Sequence, residues 1–291
     1  MRYLLSRSPD TFIYASARLK QKKYLVLEAL EECIPFIRRD ETSHWDFFES
    51  FPKQCFADRD IVECAVKKVG SALKYAPKFQ DDFEIVLSAV RTVGSGIALK
   101  YASKFQDDFE IVLAAVRTVG TGRGIALKYA PKFQDDLKIV LPAVKACGLA
   151  LEHVSDRLRK NKMVIQCALQ SDPMALEWVG PKWKKDYETI LYAVSKRGTA
   201  IQFLSSQWRN NVDLVREAIK SHSCAYRYAG PIPRNNFEIT LMAVKHNPAM
   251  LEYASLALQN NKTIVFEAVK RDVDMYHFAR SKCISVLDLL P

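Results

Sequence analysis

The chain has 291 residues, of which 49% are hydrophobic and 26% charged, with a formal net charge of +10. That balance excludes a disordered chain, and no run reaches the roughly 18 apolar residues that a membrane helix needs. A basic excess points to a nucleic acid or an acidic surface only where the charge is gathered in one place.

The first residues, "MRYLLSRSPD", lack an apolar core of secretory length, so no signal peptide is read there. They resemble the tail of a helix without its beginning. A helical segment around Ala29 follows, then an irregular stretch at about 31–50. From residue 72 the chain repeats itself. "ALKYAPKFQDDFEIVLSAVRTVG" at 72–94 returns as "ALKYASKFQDDFEIVLAAVRTVG" at 98–120 and as "ALKYAPKFQDDLKIVLPAVKACG" at 126–148. The copies are only the clearest part of a longer periodicity. One alanine recurs as Ala29, Ala65, Ala89, Ala115, Ala143, Ala168, Ala193, Ala218, Ala243 and Ala268, in steps of 25 residues from Ala143 onward. A fixed period of this size marks a repeat array.

Seven residues before each alanine stands Asp58, Asp82, Asp108, Asp136, Asn161, Asp186, Asn211, Asn236 or Asn261; only Lys22 departs. Asp and Asn accept from the free N–H groups of a first helical turn, so this column predicts helix caps. Glycine five residues after the alanine, as at Gly70, Gly94, Gly120, Gly148 and Gly198, is read as the helix stop. Each unit therefore holds a second helix of about ten residues. Its apolar positions, such as Ile111, Val112, Ala115, Val116 and Val119, follow helical and not strand spacing.

A shorter first helix precedes it. "DPMALEWV" at 172–179 and "NPAMLEYA" at 247–254 each offer an Asx cap followed by proline. An aromatic column runs through this half: Tyr14, Phe51, Tyr75, Tyr101, Tyr129, Trp178, Phe203, Tyr228, Tyr253 and Phe278, with His153 in one unit. It is read as the core of the first helix in preference to a ladder for stacking bases, because near-identical units would read one base three times. The terminal "FARSKCISVLDLLP" stops before a further second helix. The two ends either pair with another chain or belong to a longer array.

Little here carries chemistry. The glycine-rich run 120–124 lacks the phosphate-loop pattern and a strand to feed it. His44, His153, His222, His246 and His277 form no metal-binding spacing. The seven cysteines, Cys33, Cys55, Cys64, Cys147, Cys167, Cys224 and Cys283, are odd in number and scattered, which suits reduced thiols in a cytoplasmic protein. Paired carboxylates such as Asp81-Asp82 and Asp107-Asp108 are caps and loop residues. The strongest surface signal is basic. "DRLRKNK" at 156–162 and "PKWKKD" at 181–186 supply Arg157, Arg159, Lys160, Lys162, Lys182, Lys184 and Lys185. In a parallel stack these loops share one edge with the N-termini of the second helices, and an anion or acidic partner would dock there.

The pattern D-x-E-I-V-L-x-A-V-x-x-x-G-x-A-L-x-Y-A, which stands here at 108–130, resembles the helical repeats catalogued as domain of unknown function 4116. Turn insertions of two and four residues are this chain's departures. The resemblance runs from about Ser8 to Ala279. It implies a helical scaffold, and it implies no catalytic residue, since the family has none established. Such repeats occur mainly in proteins of intracellular bacteria and protists. Delivery into a host cell is conceivable on that ground alone; no signal in these residues carries it.

The resulting expectation is an all-α, right-handed superhelical solenoid of about ten helix–loop–helix repeats with a period near 25 residues, one domain over 1–291. The expected function is a non-catalytic scaffold for an unidentified protein partner, with nucleic acid or another polyanion along the basic edge as the alternative. No cofactor, metal or membrane insertion is expected, and the oligomeric state stays open.

Overall fold

The computed structural model describes residues 12, 14–37, 47–92, 95–118 and 124–278. Among these there is no strand. Ten α-helices carry the repeat: α1 (Lys23–Ile37), α2 (Arg59–Lys68), α3 (Phe83–Arg91), α4 (Phe109–Arg117), α5 (Leu137–Ala146), α6 (Lys162–Ser171), α7 (Tyr187–Lys196), α8 (Val212–Ser221), α9 (Phe237–His246) and α10 (Lys262–Val269). These are the second helices read from the sequence. The Asx column caps α2 to α10, each side chain accepting from a first-turn N–H; Asp108 takes that of Ile111 at 2.9 Å and Asn211 that of Leu214 at 2.9 Å. All ten alanines of the period are buried, none more than 2% exposed.

The first half of each unit differs from the expected α-helix. It is a 3-10 helix, as at Gly70–Tyr75, Ser95–Lys100, Gly148–His153, Gly198–Phe203 and Pro248–Tyr253. Six residues between two extended joints close more i→i+3 than i→i+4 bonds, which favours the tighter winding. With three residues per turn, the positions that reach the core are an adjacent pair: Ala72-Leu73, Ala98-Leu99, Ala126-Leu127, Ala150-Leu151, Ala175-Leu176 and Ala200-Ile201 are all buried. The aromatic column lies two residues further on and is only half inside. Tyr75, Tyr101, Tyr129, His153, Trp178, Phe203, Tyr228, Tyr253 and Phe278 are half-buried, Phe51 is buried, and Tyr14 is exposed. The column therefore borders the core; the Ala-Leu pair fills it.

The glycine stop also needs correction. The α-helices end one residue earlier, at an extended residue whose N–H still bonds to the periodic alanine: Cys147 to Ala143 at 2.9 Å and Arg197 to Ala193 at 2.9 Å. Gly70, Gly148 and Gly198 are the first residues of the 3-10 helices that follow. Gly198 is needed for proximity, since a Cβ there would sit 2.0 Å from the Ala218 carbonyl oxygen of the next unit. Among the described residues only Gly124, at the end of the longest turn insertion, has a positive φ, 69°. The expected stops at Gly94 and Gly120 lie outside the described residues, as do residues 120–123 of the glycine-rich run, His44, Cys283 and both chain ends.

The chain, expected as one domain, is organised as two compact units, residues 1–158 and 159–291. In the first, α1 to α5 pack in sequence as one layer and the 3-10 helices as a second. The α-helices run parallel. Arg59 at the start of α2 pairs with Asp82, the cap of α3. At the other end, the Thr92 hydroxyl donates to the Val66 carbonyl at 2.7 Å, and the Thr118 hydroxyl donates to the Val90 carbonyl at 2.9 Å. Aromatic rings bridge successive repeats, Phe83 on Phe105 and Phe109 on Phe133, with centroids 5.9 and 6.1 Å apart. In the second unit, α7 to α10 pack in sequence over 3-10 helices from Pro173 to Phe278. Its largest fully buried side chain is Tyr226, whose hydroxyl shares a 2.7 Å hydrogen bond with that of Thr240.

Two consequences are measurable. Ala115→Leu and Gly198→Ala each force a larger group into a closed contact, and each should lower stability by about 1–3 kcal/mol in a denaturant melt; an unchanged midpoint for both would refute the packing register. Burial pushes the Tyr226 hydroxyl up to about 12. A phenol whose folded pKa exceeds its unfolded value of about 10 binds its proton more tightly when folded. Its stabilisation is complete below pH 10 and is lost as pH rises from 10 to 12. Tyr226→Phe should flatten the stability–pH curve across that window relative to the parent chain.

Candidate functional site

The seven basic residues do not form one equivalent set. Arg157 belongs to the first unit. Its Nε lies 3.0 Å from both carboxylate oxygens of Asp135, and its Nη2 donates to the Asp135 carbonyl at 2.9 Å. The Ser155 hydroxyl bonds to the same carboxylate, and together these donors, Ser155 foremost, hold Asp135 below its ordinary pKa. Arg157 thus ties one loop to the loop before it.

The other six lie in the second unit, where two basic turns are stitched side by side. The Gly180 N–H donates to the Arg159 carbonyl at 3.3 Å, and the Trp183 indole donates to the Lys160 carbonyl at 3.0 Å. The Lys182 ammonium stands 5.7 Å from the centre of the Trp183 ring. Lys160, Lys162, Lys182 and Lys185 are exposed. At the cap of α7, Asp186 accepts from the Thr189 hydroxyl at 2.6 Å and from its N–H at 3.0 Å. These bonds hold the carboxyl low, with Lys162 and Lys182 adding to the effect. The cap and four lysines therefore share one edge of this unit.

Lys184 has a different task. Its ammonium donates to the Glu177 carbonyl at 2.6 Å, and burial pushes its pKa down. It stands two residues before the cap, where other repeats carry Gln80, Gln106, Gln134, Arg234 and Gln259. Those side chains reach back in the same way to the end of their own 3-10 helix, Gln80 to Leu73 at 3.1 Å, Gln106 to Leu99 at 3.1 Å, Gln134 to Leu127 at 3.0 Å and Arg234 to Arg227 at 2.6 Å. The position is a clamp on carbonyls near the end of a short helix, of which those of Leu73, Leu99 and Leu127 also accept from the N–H groups of Ala76, Ala102 and Ala130. Arg159 occupies the same column. An alignment on the caps identifies this position, whereas counting charges does not.

The same alignment explains why the basic edge is strongest at 159–185. The near-identical repeats also expose loop lysines, Lys78, Lys104 and Lys132, which were not singled out from the sequence. Each of those loops carries an exposed aspartate directly before the cap: Asp81, Asp107 and Asp135. Lys160 and Lys185 occupy that column in the second unit, so the offsetting charge is replaced by a further positive one.

Two grooves open between α-helices. One, of about 250 Å³, lies between α6 and α7 and is lined by Lys162, Gln166, Gln170, Trp183, Glu188 and Tyr192. The other, of about 660 Å³, lies between α2 and α3 and is lined by Arg59, Glu63, Lys67, Glu84, Ser88 and Arg91. Several lining residues correspond along the repeat: Arg59 matches Lys162, Glu63 matches Gln166, Lys67 matches Gln170, Glu84 matches Glu188, and Ser88 matches Tyr192, whereas Arg91 and Trp183 have no counterpart in the other groove. Of the cysteines whose side chains are described, Cys55 is buried, Cys64, Cys147 and Cys167 are half-buried, and Cys224 is exposed; all are free thiols. Among the described residues no cluster of His, Cys, Asp and Glu is arranged to hold a metal, and no helix is long and apolar enough to cross a membrane.

The model of one family, the domain of unknown function DUF4116, matches this chain at residues 58–104, 82–134, 136–184, 186–233 and 236–282. Every match begins at a capping residue and extends over about two of the 25-residue units. No curated protein and no solved structure matches.

The clamp assignment has a direct check. Lys184→Gln restores the residue of four other repeats and should leave the thermal midpoint unchanged or raise it. Lys184→Ala strands the Glu177 carbonyl and should cost about 1 kcal/mol. Equal losses from both would show that the charge, and not the reach, is what matters.

Proposed function

The chain belongs to the DUF4116 family, and we propose that it is a non-catalytic helical-repeat scaffold that binds another protein. The observation that carries this reading is the recurrence of a groove at one register, between α2 and α3 and again between α6 and α7. A repeat fold multiplies any surface that lies between neighbours, and extended partners use such surfaces. The two grooves differ where selectivity requires it. Between α2 and α3 the lining is mostly charged. Between α6 and α7 it is aromatic and amide-rich, with Tyr192 38% exposed and Tyr187 and Met163, both more exposed than that, close in sequence to lining residues. Aromatic and methionine side chains at partly open positions suit a protein contact. The free thiols accord with a cytoplasmic location in this reading.

A second reading rests on the stitched basic turns. Lys160, Lys162, Lys182 and Lys185 are exposed beside a capped helix start, without the aspartates that balance the earlier loops. A polyanion such as RNA or DNA would bind there through its phosphates, with strong dependence on salt.

Both readings meet in one experiment. The tagged chain is used to capture partners from lysate, with and without nuclease, and is eluted with a salt gradient. The scaffold reading expects a discrete protein that survives nuclease and is lost with Tyr192→Ala. Recovery of RNA or DNA alone at low salt, abolished by Lys160→Glu, Lys182→Glu and Lys185→Glu together, would replace it with the second reading.

A further inference from the structure

Neighbouring helices α3 and α4 present Glu84 and Glu110 near their N-termini and Arg91 and Arg117 near their C-termini. All four are exposed, and none forms an ion pair with a described residue. Seven residues separate acid from base on each helix, so the two lie on one face about 10 Å apart. The helices run parallel, as the bond from Thr118 to Val90 at their C-terminal ends shows. Like charges therefore stand side by side, making an acidic row and a basic row. Between the rows lie Leu87, Ser88, Leu113 and Ala114, a low strip that is buried or half-buried.

Two rows of like charge repel along their own length at a spacing near the screening distance. What relieves both at once is a surface with the same two rows in the opposite order. A second copy of this chain supplies it. Rotation by a half turn about an axis along the stack lays the acidic row of one copy on the basic row of the other, and the reverse, which is the condition for a self-complementary contact. We propose that the α3–α4 face is a weak homodimerisation surface of this kind.

The neighbouring helices set its limits. On α2, Asp60 and Lys67 have the same spacing, but Asp60 is paired with Lys23 and Lys67 with Glu63. On α5 the pattern ends, because Lys138 and Lys145 are both basic. Two helices about 15 Å long and about 10 Å apart offer about 300 Å² per copy. That is below the roughly 800 Å² per partner of a stable complex, so the dimer exchanges quickly and salt weakens it. Glu84, Ser88 and Arg91 also line the α2–α3 groove, so the two readings share those side chains, but the inference requires neither the α6–α7 groove nor the lysines of the basic edge.

Sedimentation velocity of the full chain tests it. At low salt the average mass should climb from one chain toward two as concentration rises to roughly 0.5 mM, the range in which so small an interface associates. In 1 M salt it should fall back. Glu84→Lys with Glu110→Lys makes the face wholly basic, and Arg91→Glu with Arg117→Glu makes it wholly acidic. Each variant alone should remain monomeric, and an equimolar mixture should recover a heterodimer. That recovery also demonstrates that both variants are folded, and thermal melts provide an independent check. A parent chain that stays monomeric throughout overturns the proposal. So does a dimer that neither variant disturbs, or a mixture of natively melting variants that stays monomeric.

Discussion

The buried alanine at the centre of each α-helix is the contact on which the remaining structure depends. Its side chain is small enough for neighbouring repeats to approach closely, and its carbonyl receives the N–H that ends the helix. Arg197 bonds to Ala193 in this way, and the next residue, Gly198, begins the following 3-10 helix against the backbone of Ala218. One residue thus sets both the spacing between repeats and the point where the chain changes from one layer to the other. The cap seven residues earlier fixes the opposite end. With both ends defined, a unit of 25 residues has little freedom in register, even though it is too small to hold a core alone.

Chemistry at the remaining columns follows geometry more than residue class. The position before the last loop residue carries Gln80, Lys184 and Arg234, and each one reaches a carbonyl at the end of its own 3-10 helix. An amide, an ammonium and a guanidinium all supply a donor on a stem long enough to span the turn. The net charge of +10 consequently overstates the surface available to an anion, because part of it is spent on the backbone. Arg157 and Arg59 show the same economy through Asp135 and Asp82.

Much of this was legible in advance. The Asx column located nine caps and the alanine column ten helices, because both features demand a particular residue for a local reason. The winding of the first half was not legible. A six-residue segment shows no more than two turns, too few for apolar spacing to distinguish three residues per turn from 3.6. The same ambiguity put the aromatic column in the core. In a 3-10 helix the side chain two places after Leu73 is Tyr75, which turns toward the rim. The glycines were misread for a related reason. Glycine serves equally as a left-handed stop and as a point of close approach, and only the position of Ala218 distinguishes the two at Gly198. The bond of Lys184 was not legible either, because a lysine in a basic run looks solvated until the carbonyl of Glu177 is placed beside it.

A fold built in this way separates the residues that hold it from the residues that distinguish one repeat from another. Caps and alanines recur from α2 to α10, and Ala-Leu pairs and clamps recur in most units, because they serve packing and the backbone. What changes between units is the residue before the cap, aspartate at Asp81, Asp107 and Asp135 but lysine at Lys160 and Lys185, and the groove residue that is Ser88 in one place and Tyr192 in another. In the scaffold reading proposed above, binding specificity would come from those variable columns, since the fixed ones are occupied with packing. The three near-identical repeats then contribute length and a uniform surface, while the divergent repeats after residue 158 contribute distinct chemistry. This division places the lysine edge and the Tyr192 groove in the second unit, where a partner would find features that no other repeat duplicates.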